Sequence, residues 1–140
     1  MEFDLHSKIR AMSVITPTAG AAAGASTVGT IIDTLGFESI EYVIQSGTIT
    51  TGSFAVVLEE ADELAFVVGL QAVPAANRLG ALPTFVVTDD ADVRRVGVIG
   101  KKRFQRLTLV GTSTPVGDFS ACAILGNPVS APVAAQASVN

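Results

Sequence analysis

The stretch Ser39-Ile40-Glu41-Tyr42-Val43-Ile44-Gln45 decides the fold class. Ile40, Tyr42 and Ile44 fall on one face of an extended chain, and Glu41, Val43 and Gln45 on the other. That period-two alternation is the mark of a strand with one buried face. The segment SGTITTG (46–52) follows, and then FAVVLEE (54–60). Gly47 and Gly52 supply permissive dihedrals, and the threonines between them tolerate solvent, so the two apolar segments read as a β-hairpin around a turn.

Working outward, further runs rich in β-branched and aromatic residues predict strands at 8–15, 84–88, 95–100, 103–110 and 119–125. The stretches between them, TDDAD (88–92), GKK (100–102) and GTSTPVGD (111–118), favour tight chain reversal. Residues 59–73, EEADELAFVVGLQAV, place Leu64, Val67, Val68 and Gln71 at helical spacing. Gly69 weakens a helix, and residues 66–73 fit equally a strand leading into a loop. Six to eight strands with little helix predict a mainly β chain, a single-domain β-sandwich or small β-barrel with extended terminal arms. Within that one domain, residues 1–30 read as an N-terminal strand and a flexible Gly/Ala-rich arm, 31–126 as the β-rich core, and 127–140 as an extended Pro/Ala-rich tail.

At 140 residues the chain can bury a core without disulfides or metals. Hydrophobic residues make up 49% and charged ones 16%, which excludes a disordered chain and leaves apolar surface for a partner or a second copy to cover. No run of roughly 18 apolar residues is present to span a bilayer, so no membrane partner is expected. The N-terminal MEFDLHSKIRAMSV lacks the apolar core of a secretory signal, which predicts a protein made and kept in the cytoplasm of a cell.

Catalytic chemistry has little to draw on. His6 is the single histidine and Cys122 the single cysteine, so a Ser-His or Cys-His triad and a structural zinc site both lack their parts. Cys122 sits in the apolar run FSACAIL and reads as a small hydrophobe. Two acidic clusters, Glu59-Glu60-Asp62-Glu63 and Asp89-Asp90-Asp92, lack the ligand spacing of a calcium loop and read as solvated turns. A carbohydrate-binding or hydrolase domain would have to use them, without a tryptophan to line a sugar groove. Neither GxGxxG nor a P-loop is present. No enzyme and no cofactor are expected.

Six of the nine basic residues, Arg94, Arg95, Lys101, Lys102, Arg103 and Arg106, follow directly on the acidic turn 89–92. If VRRVGVIG and KKRFQRLTLV form a hairpin around Gly100, their side chains gather on one end or face of the sheet. Solubilising charge is the first reading and an acidic protein partner the second. The net charge of −4 and the lack of stacking aromatics beyond Phe104 speak against direct nucleic-acid contact.

Four segments, DLHSKI (4–9), IIDTLGFESIEYVIQSGTIT (31–50), VRRVGVIGKKRFQRLTLV (93–110) and ACAILGNPVSAPV (121–133), resemble the capsid decoration, or cement, proteins of tailed bacteriophages and their head-associated relatives. The resemblance implies a structural virion protein, a homotrimer that binds the major capsid protein on the outside of the head and stiffens the shell. It brings no active site. The candidate partner surface is Lys8, Arg10 and the six basic residues above. The same resemblance also fits another phage component, such as a head-tail connector or tail protein.

Overall fold

In the computed structural model, which describes residues 4–17, 26–130 and 133, the chain is mainly β and builds one antiparallel sheet of nine strands. These are β1 (Arg10–Ile15), β2 (Thr27–Val28), β3 (Ile32–Asp33), β4 (Phe37–Ala61), β5 (Gln71–Ala72), β6 (Arg78–Leu79), β7 (Thr84–Val86), β8 (Val93–Val98) and β9 (Phe104–Pro128). Two short 3-10 turns lie at His6–Lys8 and Ala75–Asn77. Of the expected arms, residues 1–3, 18–25 and most of 131–140 lie outside those described, while β1 and β2 fall within the N-terminal one and β9 runs into the C-terminal one as far as Pro128.

Two 25-residue strands organise the whole. β4 and β9 pair along their full length, from Phe37 opposite Pro128 to Ala61 opposite Phe104, and the register slips between Ser46 and Ser53. On one side of that irregular stretch, β8 flanks β4 and β1 flanks β9; on the other, β7 and β5 flank β4 while β2 and β3 flank β9. The two half-sheets, called A and B in that order, send their inward side chains into a single core. Phe119 of half A meets Phe54 and Phe85 of half B at ring-centroid distances of 4.6 and 5.3 Å, a tilted and an edge-on arrangement that suits aromatic quadrupoles.

The alternation read from 39–45 holds: Ile40, Tyr42 and Ile44 are buried while Glu41, Val43 and Gln45 face outward. The hairpin at 46–52 does not form. SGTITTG bends a single continuous strand, and GTSTPVGD, opposite it, bends β9 in the same place. The glycines act here as close-approach positions. Gly52 has a φ of +76°, and a Cβ there would lie 2.5 Å from the Thr112 carbonyl oxygen and 2.6 Å from Pro115 Cα. Extra residues in each strand put bulges into the ladder, and bulges bend it.

The acidic turn 89–92 fastens this bend. Asp90 accepts a hydrogen bond from the Ile49 N–H at 2.8 Å, Asp89 accepts one from the Val86 N–H at 2.8 Å, and the Ala91 N–H donates to the Gly47 carbonyl. The buried Ser46 hydroxyl donates to the Asp89 carbonyl and accepts from the Asp92 N–H. The turn is exposed at Asp90 and Ala91, as a solvated turn should be, and its carboxylates also brace a corner. Residues 59–73 form no helix either; the strand runs on to Ala61, and 62–70 make a loop. Among the described residues no helix is long and apolar enough to cross a membrane.

Candidate interaction surface

The bend closes one end of the molecule, and the loops that cross between the halves make the other. At this loop end the turn 34–36 carries the chain from half B to half A, and 99–103 carries it back. The crossings are tied together. The Thr34 N–H and hydroxyl both donate to the Arg103 carbonyl, at 2.9 and 2.7 Å, and the Val129 N–H donates to the Gly36 carbonyl at 2.9 Å. Lys101 Nζ donates to the Phe37 carbonyl at 2.7 Å, and burial lowers its ammonium from the ordinary value against the opposing field of Glu38.

Aliphatic side chains are concentrated here. Of the thirteen large hydrophobic residues exposed among those described, Leu5, Leu35, Ile99 and Val129 crown the loop end, and Leu64, Val67, Val68 and Leu70 project from loop 62–70. Clustered exposed apolar residues, unlike scattered ones, mark interaction surfaces. Loop 62–70 is pinned in place. Phe66 turns inward with a φ of +59° and packs on Ala61 and Phe104, with the Arg106 guanidinium 4.3 Å from its ring centroid. Lys102 Nζ bridges Asp62 and the Gly69 carbonyl, and the Val68 N–H donates to Glu63. A bulky residue in the left-handed region persists only where its surroundings over-determine it.

Beneath the loop, Glu60 is 1% exposed. Its carboxylate accepts from Gln71 Nε2 at 2.7 Å and, at 3.1 Å each, from Gln105 Nε2 and the Lys102 N–H. Strand alternation turns neighbouring Glu59 to the outer face, where Arg106 holds it through two hydrogen bonds. The four acids of this cluster therefore do not converge on one cavity.

The candidate basic residues are brought together only in part. β8 lies in half A and the first part of β9, residues 104–110, in half B, and the two strands do not pair, so the hairpin around Gly100 does not exist; the chain crosses layers there. Arg94 reaches the bend, bound to Asp89 and Asp92 and 4.8 Å from the Phe85 ring centroid. Arg95 meets Glu41 on the outer face of half A. Lys101, Lys102 and Arg103 share the loop end, where Arg103 grips Asp33 through two 2.8 Å hydrogen bonds and holds that carboxyl below its usual range. Arg106 lies on the outer face of half B. Lys8 ends the turn before β1 and Arg10 opens that strand, which is separated by β9 and β4 from the β8 that carries Arg95.

A depression of about 360 Å3 indents the outer face of half A, lined among others by Ala11, Met12, Ser13, Val43, Ser120 and Cys122. Sequence reading missed both this depression and the apolar loop. The run AFVVGL (65–70) carried the signal for the loop, since four large apolar residues so near two carboxylates and a glycine have no strand partner in sight.

Comparison with protein-family models finds no match, and comparison with curated protein sequences finds none. Among solved structures, one similar chain comes from work described as "Bacillus endospore appendages form a novel family of disulfide-linked pili". The identity is 16%, the alignment covers 85% of this chain and 88% of that one, and the TM-score is 0.44. A likeness of that degree carries no functional inference.

Proposed function

We propose that this chain is a structural virion protein, not an enzyme, that binds the outer surface of a tailed-phage capsid and stabilises the shell as a decoration protein. The observation that supports the reading most is the loop end: aliphatic side chains displayed on hydrogen-bonded crossings of a domain whose interior is filled. A surface of that kind gives modest contacts per copy, which repetition on a lattice turns into avidity. The crown formed by Leu35, Ile99 and Val129 meets the major capsid protein, and the paired charges of Arg103 and Asp33 make its polar rim. The protein acts on the particle surface after synthesis in the host cytoplasm, as a trimer.

Co-sedimentation with undecorated phage heads tests this. Leu35 and Val129 are exposed, so the double variant Leu35→Asp, Val129→Asp keeps the fold and loses roughly a hundredfold or more in affinity, given about 1.5 kcal/mol or more for each of the two aliphatic side chains buried in the contact. Undiminished binding by the double variant, or none by the wild type, contradicts the proposal.

A further inference from the structure

Glu60 is a carboxylate sealed inside the molecule without a counter-charge. Among the described residues no ion pair reaches it, and the nearby cations are taken, Lys102 Nζ by Asp62 and Arg106 by Glu59. Its three donors are uncharged N–H groups, from Gln71, Gln105 and the Lys102 backbone. Buried charges are otherwise paired or bound to a metal ion, since a charge held in a low dielectric is costly. A second buried group in the same place lacks its partner. Gln105 is 0% exposed, and its Oε1 accepts no hydrogen bond. Its Nε2 stands 3.1 Å from Glu60 Oε2 and 3.3 Å from the Lys102 carbonyl oxygen. A half-turn of the amide about Cγ–Cδ exchanges its oxygen and nitrogen, and Oε1 has no bond to lose in the exchange. Gln71 and the Lys102 N–H keep their bonds to Glu60 either way. Three oxygens then face one point: a carboxylate, an amide and a backbone carbonyl. They repel one another unless a cation sits among them, and oxygens of these kinds are the ligands that hard cations take.

We propose that Glu60 Oε2, Gln105 Oε1 and the Lys102 carbonyl oxygen bind one small, hard, monovalent cation, a sodium ion, at the foot of loop 62–70. One carboxylate contributes one negative charge, so a monovalent ion leaves the buried site neutral where a divalent ion would leave it charged. Among the described residues no group of three His, Cys, Asp or Glu side chains is placed to hold a metal ion; here two of the three ligands are neutral oxygens. The ion would tie the end of β4 to β9 and to the crossing 99–103. This inference goes beyond the capsid reading and does not rest on it.

Thermal melts in sodium chloride and in choline chloride, whose cation is too large to enter, compare the two ions at equal ionic strength. Sodium at roughly ten times its dissociation constant raises the wild-type midpoint by about 5 °C, and the rise saturates. Gln105→Leu, which is close in volume and removes the amide oxygen, loses the rise, and so does Glu60→Gln, which removes the charge. A crystal structure of the wild type grown in sodium chloride gives a readout that needs no variant to fold. It shows a peak joined to the three oxygens at less than about 2.5 Å, shorter than a hydrogen bond to water, with Gln105 Oε1 turned toward Glu60. Equal midpoints in the two salts, a sodium rise that survives both substitutions, or a crystal in which Gln105 Nε2 faces Glu60 with no ion between them overturns the proposal.

Discussion

Adding one methyl group at Gly52 probes how the bend in β4 and β9 is closed. The methyl of Gly52→Ala would meet the Thr112 carbonyl oxygen at 2.5 Å and Pro115 Cα at 2.6 Å, both backbone atoms of the paired strand, so no side-chain rotation relieves the clash. Alanine at a left-handed φ costs about 1–2 kcal/mol, and forcing apart packed backbone adds about 1–3 kcal/mol, a loss of about 2–5 kcal/mol in all. Gly36→Ala is the internal control. Its φ is +89° and nothing lies within 4 Å of the added carbon, so it carries the conformational part alone, about 1–2 kcal/mol. Urea unfolding followed by circular dichroism measures both as shifts of midpoint at constant slope. Equal losses at the two glycines, or a loss under about 1 kcal/mol at Gly52, would refute the claim that the two bent strands close on each other through backbone contact.

Tyr42 is fully buried, and its hydroxyl has no partner among the described residues. Tyr42→Phe is therefore neutral or stabilises by up to about 1 kcal/mol in the same urea experiment, and a loss above that would reveal a hidden partner. Burial pushes the phenol well above its ordinary value. A folded-state value above the unfolded one gives a contribution that is complete below about pH 10 and fades as pH rises beyond it. As this is the chain's single tyrosine, phenolate absorbance should appear only together with loss of the β circular-dichroism signal; reversible titration of the folded protein near pH 10 would contradict the burial. Asp33 behaves in the opposite sense. Arg103 depresses its folded-state value, so its small, solvent-screened contribution is present at neutral pH and is lost as pH falls through the acid range. Asp33→Asn should thus lie slightly below wild type in stability at pH 7 and converge on it in acid. Arg106→Ala removes both the Glu59 ion pair and the contact over Phe66, at a cost of about 1–2 kcal/mol, and accelerates amide exchange across 62–70. An unchanged exchange pattern there would show that the loop is held by other means.

The inward face of the sheet was legible because alternation is a local property: Ile40, Tyr42 and Ile44 announce it within six residues. Bends were not. Gly47, Gly52 and the threonines between them suit a reversal and a corner equally well, and the choice falls to β9, whose own Gly/Pro stretch lies more than fifty residues away and bends in register. The cationic run 94–106 shows the same limit from another side. Its residues are neighbours in sequence, but a crossing between layers at 99–103 and the two-residue period of a strand send Arg94, Arg95 and Arg106 to three different places. Loop 62–70 deceived for a chemical reason, since exposed aliphatic residues read in sequence like a buried strand. The corner-bracing role of Asp89, Asp90 and Asp92 depended on backbone N–H groups of β4 and β7 that no local motif announces.

Cryo-electron microscopy of undecorated phage heads incubated with the purified protein tests the central claim most directly. The account predicts added density repeated at equivalent sites over the outer capsid lattice, fitted by this sandwich with its loop end toward the shell. Bare heads, or density confined to the single vertex where the tail attaches, would contradict it.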